Sequence, residues 1–153
     1  MEQFFPTDKI LITGNPVRQN IAHIEIEKET ALLQFGLLPN QFTLLIIGGS
    51  LGAASINKAI QLSLAQFAKM GVQLIWQTGK PNAAVYKEAA SLFGNVYVNS
   101  FINEMPAAYA AADMVVSRSG AMAVAEIAMT GKACIFVPYP QAAEDHQTFN
   151  AKV

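Results

Sequence analysis

The run Phe42-Thr43-Leu44-Leu45-Ile46-Ile47 is apolar or β-branched at every position and stops abruptly at Gly48-Gly49-Ser50-Leu51-Gly52. A strand with one wet face alternates apolar and polar residues. A run without alternation is covered on both faces, as in a parallel sheet clad by helices. Parallel neighbours cannot be joined by tight turns, so helical crossovers must separate them. The chain meets that demand. Further strand candidates are Lys9–Ile12, Val72–Gln77, Val96–Val98, Met114–Ser117 and Ala133–Val137. Between them stand segments with helical spacing: Ile24–Phe35, the stretch from Ile56 to Met70, Asn82–Phe93, Pro106–Ala112 and Ala121–Met129; a further helix starts at Glu144. Strand and helix in alternation predict an α/β fold with a doubly wound parallel sheet.

The 153 residues suit one domain with a sizeable core. Hydrophobic residues reach 52% and charged residues only 14%, which leaves apolar surface for an interface, for example with a second domain. A net charge of -1 argues against non-specific nucleic-acid binding. The single cysteine, Cys134, lies in an apolar run and reads as a core thiol in a reducing compartment. Met1–Asp8 has no signal-peptide pattern, and no apolar run approaches the roughly 20 residues of a membrane helix. A cytoplasmic protein is expected. Asn150-Ala151-Lys152-Val153 carries neither cap nor stop signal, so the chain is expected to be a domain of a longer protein.

Ligands of open parallel sheets bind outside the carboxyl ends of the strands. Four such junctions stand out. The glycines at 48, 49 and 52, with Ser50 and Ala53, suit close approach of a phosphate to free N–H groups at a helix start; a tight turn needed for strand–helix packing would use the same residues. Their spacing is not G-x-G-x-x-G, and neither Gly79-Lys80-Pro81 nor Gly131-Lys132-Ala133 completes a P-loop. Arg18, after Thr13-Gly14-Asn15-Pro16-Val17, is either a phosphate ligand or a solvated cation. Ser117-Arg118-Ser119-Gly120 leads into a helix that is apolar almost all round, which predicts burial. Glu126 is that helix's only charge and needs a partner: vicinal hydroxyls of a ligand, an internal cation, or water at an exposed edge. Finally, Val137-Pro138-Tyr139-Pro140 leads to His146, Gln147 and Asn150; the last two share a helix face and suit a polyhydroxylated ligand, or simply a capped surface helix. The two histidines and one cysteine form no metal-binding spacing, and no D-x-D pair is present.

In this order, "TGNPVR", "GGSLGA", "WQTGK", "SFINEM", "SRSGAMAVAEIA" and "VPYPQAAEDHQTFNA" closely resemble the carboxyl-terminal domain of the MurG family, N-acetylglucosaminyltransferases of bacterial peptidoglycan synthesis. The resemblance covers essentially the whole chain, 1–153. It implies a Rossmann-like, donor-binding half of the two-domain GT-B fold, acting on UDP-N-acetylglucosamine without a cofactor or D-x-D metal site. It also implies that Arg18, Gly49, Ser50, Leu51 and Gly52 approach the donor diphosphate, that Phe101 and backbone groups of Ile102 hold the uracil, and that Glu126 takes the ribose hydroxyls. Ser119, Gly120, Ala121, Met122 and Ala123 would line the diphosphate and sugar; Gln147 and Asn150 would contact the N-acetylglucosamine, with His146 beside them. Ala123 stands where some members have threonine, and His146 where some have glutamine. The lipid-linked muramyl-pentapeptide acceptor, the general base and the contact with the inner membrane's cytoplasmic face belong, by the same resemblance, to an amino-terminal domain. Rival readings are a UDP-sugar 2-epimerase-like domain and a non-catalytic nucleotide-binding module.

Overall fold

A computed structural model describes residues 6–11 and 13–152. Five strands, β1 (Thr43–Ile47), β2 (Gln73–Gln77), β3 (Val96–Asn99), β4 (Met114–Ser117) and β5 (Ala133–Phe136), form one sheet in the order β3-β2-β1-β4-β5. All four pairings are parallel. The helices are α1 (Gln19–Ala22), α2 (Lys28–Gln34), α3 (Ala54–Lys69), α4 (Ala83–Ala90), α5 (Met105–Ala111), α6 (Ala121–Thr130) and α7 (His146–Asn150), with 3-10 turns at Thr7–Lys9 and Ala143–Asp145.

From β1 the chain steps outward to β2 and β3, then returns across the sheet to β4 and β5. Parallel crossovers keep one hand, so reversing the direction of travel moves the helices to the opposite face. The core divides accordingly. Leu44, Ile46, Leu74 and Trp76 pack with Ile56, Ile60 and Leu64 of α3 and Tyr86 of α4. Leu45, Ile47, Ile75 and Val115 pack with Leu32 of α2, Tyr109 of α5 and Ile127 of α6. Successive residues of β1 therefore feed opposite cores, which is why every position of that strand is buried. This is the doubly wound, Rossmann-like α/β architecture expected from the sequence.

Three expectations are corrected. Lys9–Ile12 is not a strand as far as it is described: Lys9 closes a 3-10 turn, Ile10 and Leu11 pair with no strand, and Ile12 lies outside the described residues. An aliphatic run becomes a strand only against an open edge, and Ile10 and Leu11 join neither β3 nor β5; Leu11 is solvent-exposed. The helix expected from Ile24 begins only at Lys28, after an extended Glu27. α6 is not a buried helix: Ile127 alone is buried, while Met122 and Met129 are exposed. It lies on the outer part of the sheet, touching α1 and α7, with nothing among the described residues over its far side.

The glycines after β1 do two different jobs. Gly52 has φ +77°, and a Cβ there would stand 2.1 Å from the Thr78 carbonyl oxygen; the reciprocal Cβ at Gly79 would stand 2.3 Å from the Gly52 nitrogen. Here backbone packs on backbone. A Cβ at Gly48 would meet the Ala53 nitrogen at 2.5 Å. Gly49 has φ +83° but open space around it. Tight packing thus accounts for the missing side chains at 48 and 52, and of the three only Gly49 has open space where a Cβ would stand. Gly52→Ala is expected to cost about 3 kcal/mol through strain and collision, and Gly49→Ala only about 1 kcal/mol through its left-handed backbone. Urea unfolding of the two variants measures the difference.

Candidate functional site

A cavity of about 870 Å³ opens at the carboxyl ends of β1 and β4, the neighbours between which the strand order reverses. Two helices point their first turns at it. α3 enters through Gly52, Ala53 and Ser55, and α6 through Gly120, Met122 and Ala123; all six residues line the cavity. Neither helix has a side-chain N-cap. Their leading N–H groups and the positive ends of two helix dipoles are therefore available to an anion. The glycine loop between β1 and α3 is closed on itself by the Gly52 N–H donating to the Gly49 carbonyl at 3.0 Å.

Two arginines flank these helix ends. Arg118 donates through Nη1 to the carbonyls of Val137 (3.0 Å) and Pro138 (2.8 Å), and through Nη2 to Ser55 Oγ (2.9 Å). Its guanidinium also lies over the Tyr139 ring, 5.5 Å from the centroid. It clamps the loop after β5 to the first turn of α3, and among the described residues no carboxylate pairs with its charge. Arg18, on the opposite wall, donates through Nε to Glu126 Oε1 at 3.2 Å. The arginine side chain is 50% exposed and the glutamate side chain 15%.

Beneath that pair lies Tyr109 of α5, fully buried, with no hydrogen-bond partner for its hydroxyl among the described residues. Burial, and then the Glu126 charge, hold its proton more tightly than in an ordinary phenol. Gln77 ties two walls together: its Nε2 donates to the Gly49 carbonyl (3.3 Å) and its Oε1 accepts from the Ile102 N–H (2.9 Å). Among the described residues no three of His, Cys, Asp and Glu come together as a metal-binding group. Burial pushes the Cys134 thiol up to about 11, so at neutral pH it is no nucleophile.

Comparison with known proteins decides the family. Residues 43–153 match the model of the glycosyltransferase family 28 C-terminal domain. The chain belongs to glycosyltransferase family 28. It is 49% identical, over 99% of its own length, to a UDP-N-acetylglucosamine–N-acetylmuramyl-(pentapeptide) pyrophosphoryl-undecaprenol N-acetylglucosamine transferase of Bacteroides thetaiotaomicron, and 48% identical to a transferase of the same name from Cytophaga hutchinsonii. It spans 42% and 40% of those two proteins. A crystal structure of MurG from Acinetobacter baumannii superposes with a TM-score of 0.69 at 30% identity, over 97% of this chain and 40% of that one. The fold is thus that of one half of a GT-B enzyme.

Within this family 28 domain the cavity gathers Arg18, Gly49, Ser50, Leu51, Gly52, Phe101, Gly120, Met122, Ala123, Glu126 and Gln147 from the residues singled out in the sequence. Five others stand back from it. Ser119 is buried and donates its hydroxyl to the Gln147 carbonyl; Asn150 donates Nδ2 to the Ser119 carbonyl. Both hold α7 against the β4–α6 junction. His146 places Nδ1 2.7 Å from the Ala143 carbonyl at the surface. Ala121 precedes the two lining residues of α6. The Ile102 N–H, expected to face a base, is already engaged by Gln77, and Ile102 faces a separate small cleft. Gln147 lines the cavity, but its Oε1 accepts from the Tyr139 N–H, so its amide nitrogen is the group left for a ligand.

Ser55, Gln77 and Tyr109 also line the cavity and were not singled out in the sequence; Arg118 and Tyr139, which line it too, stood in two of the junctions singled out but were given no role. Arg118 had a visible signal, an arginine directly after a strand at the switch point. Tyr109 had none, because it sits inside an alanine-rich helix that reads as core. Arg118→Met is expected to lower stability by about 2 kcal/mol, since it strips hydrogen bonds made by a charged donor. Hydrogen exchange should show the amides of Tyr139 and Ala142 opening faster than in the parent chain.

Proposed function

We propose that this domain binds UDP-N-acetylglucosamine, and that the protein it belongs to transfers the sugar, with inversion, to a lipid-linked muramyl-pentapeptide. The observation that carries the reading is the convergence of two uncapped helix N-termini and two arginines on one cavity whose wall also presents Glu126. A diphosphate, with two linked anionic groups, would give each helix end one group to meet. The names of the relatives supply the sugar and the acceptor. Glu126 would take the ribose hydroxyls, an acceptor-only carboxylate meeting two O–H donors. Gly49, Ser50, Met122 and Ala123 would surround the diphosphate, Phe101 would lie beside the base, and the Gln147 amide would meet the sugar.

In that role the domain's part in the chemistry is electrostatic. Charge grows on UDP as it departs, and dipoles already oriented toward it lower the barrier without reorganising at the moment of reaction. Arg18 would add a mobile cation. The acceptor and the general base would come from the part of the relatives that this chain does not span. The lipid acceptor would put the whole protein at the cytoplasmic face of the inner membrane. No helix among the described residues is long and apolar enough to cross a membrane, so attachment would fall to that other part or to surface contact.

Protein-detected NMR titration, which reads millimolar binding, tests the reading. UDP and UDP-N-acetylglucosamine are expected to bind and NAD not; a preference for NAD overturns it. No transfer to acceptor is expected from the chain alone. Glu126→Ala should weaken UDP by about 10- to 100-fold, the value of one charge-assisted hydrogen bond or somewhat more, while leaving inorganic diphosphate unweakened. Equal weakening of both ligands removes the ribose assignment.

A further inference from the structure

Three observations meet at Tyr109. Its hydroxyl is sealed from solvent and has no partner among the described residues, although its side chain forms part of the cavity wall. The two ionic groups whose fields act on it most strongly are Glu126 and then Arg18, which are the wall's own ion pair. And Glu126 makes its one described hydrogen bond through Oε1, to the half-exposed Arg18.

A buried phenol without a partner is costly, and proteins rarely leave one so. Because the hydroxyl is sealed, its partner must be a group that already covers it. Because the phenol keeps its proton, it can donate to a carboxylate at any working pH. Arg18 is the one group of the three with freedom to leave, being exposed along half its side chain and lining the same cavity as the helix ends.

We infer that Tyr109 is a positioning residue: when an anion draws Arg18 away, the Tyr109 hydroxyl donates to the Glu126 carboxylate and fixes it in the orientation that accepts a ribose diol. This rests on the UDP-sugar reading above and adds a switch to it. In the unliganded domain Arg18 satisfies Glu126 and Tyr109 waits. In the occupied domain Arg18 pairs with the diphosphate, and Glu126 is shared between the ligand's hydroxyls and the phenol. The same carboxylate is never left without a donor.

Tyr109→Phe removes the hydroxyl and nothing else. The variant should melt at or above the temperature of the parent chain, because it loses a buried polar group that has no partner among the described residues. A lower melting temperature would reveal an internal partner and overturn the inference. UDP affinity should fall about 3- to 10-fold, the worth of one hydrogen bond, while 2′,3′-dideoxy-UDP, which lacks the diol, should bind parent and variant alike. In a Glu126→Gln background Tyr109→Phe should have less than half that effect on UDP, the non-additivity of groups that act as a unit. Equal losses for UDP and the dideoxy analogue, no loss for either, or an undiminished loss in the Glu126→Gln background each overturn the positioning role. A parent chain that fails to distinguish UDP from its dideoxy analogue instead overturns the ribose assignment itself, and the inference with it.

Discussion

Contact of backbone with backbone at Gly52 and Gly79 sets the geometry of the ligand-facing side of the sheet. The turn that ends β1 and the turn that ends β2 touch there without side chains between them. The same region is tied polar to polar: Trp76 Nε1 donates to Asn57 Oδ1 at 3.0 Å, and Asn57 Nδ2 donates to the Thr78 carbonyl at 2.7 Å, both buried. α3 is therefore fixed against β2 through its second turn, and its first turn has one direction in which to point. Any side chain larger than hydrogen at 52 or 79 would push that first turn outward, and its cavity-facing N–H groups would move with it.

Sheet topology does the rest. Because the order reverses between β1 and β4, the helices that follow these two strands diverge to opposite faces and leave a crevice between their N-termini. Two helix dipoles then point into one space, an arrangement that repels cations and attracts anions whatever the ligand's detailed identity. Arg118 reinforces it structurally and electrically. Among the described residues its hydrogen bonds go to carbonyl and hydroxyl oxygens and not to a carboxylate, so it braces the 137–138 segment and keeps its positive charge beside the cavity.

The strands from β1 onward were legible to within a residue or two because a parallel sheet buries its central strands on both faces, and continuous aliphatic runs such as Leu44–Ile47 have no other comfortable place. The runs also pointed to the carboxyl ends of the strands as the place for a ligand, through four candidate junctions; the strand order, which the runs do not dictate, is what sets the cavity between β1 and β4. What was not legible depended on partners that the local sequence does not name. The Lys9–Ile12 run is strand-like in composition but finds no edge among the described residues. α6 looks buried by composition, yet burial depends on what covers it, and only its Ile127 side is covered. Gln147 and Asn150 share a face as their spacing requires, but Ser119 recruits one of them for structure, a competition invisible until the junction folds. The glycines at 48 and 52 were first a question about ligands; their Cβ collisions answer it in terms of packing.

The Arg18–Glu126 pair answers the other question the sequence raised, what satisfies the lone charge of α6, by joining two residues that the reading had given to separate parts of a ligand. The two roles are compatible only if the pair is weak enough to exchange. An ion pair with one partner half in water contributes no more than about 1 kcal/mol, whereas a guanidinium–phosphate hydrogen bond desolvated in a cleft contributes about 1.5–3 kcal/mol. In the proposed complex Arg18 would therefore gain by moving to the diphosphate, provided that Glu126 lost nothing in the exchange. A diol would supply two donors to the carboxylate, and the inferred role of the buried Tyr109 hydroxyl is to supply a third. A ligand with the diphosphate but no diol would release Arg18 and leave Glu126 poorly served; one with the diol but no diphosphate would have to compete with Arg18 for the carboxylate. On the proposed binding mode the pair would couple recognition of the two halves of a nucleoside diphosphate, so that each half would bind better when the other is present.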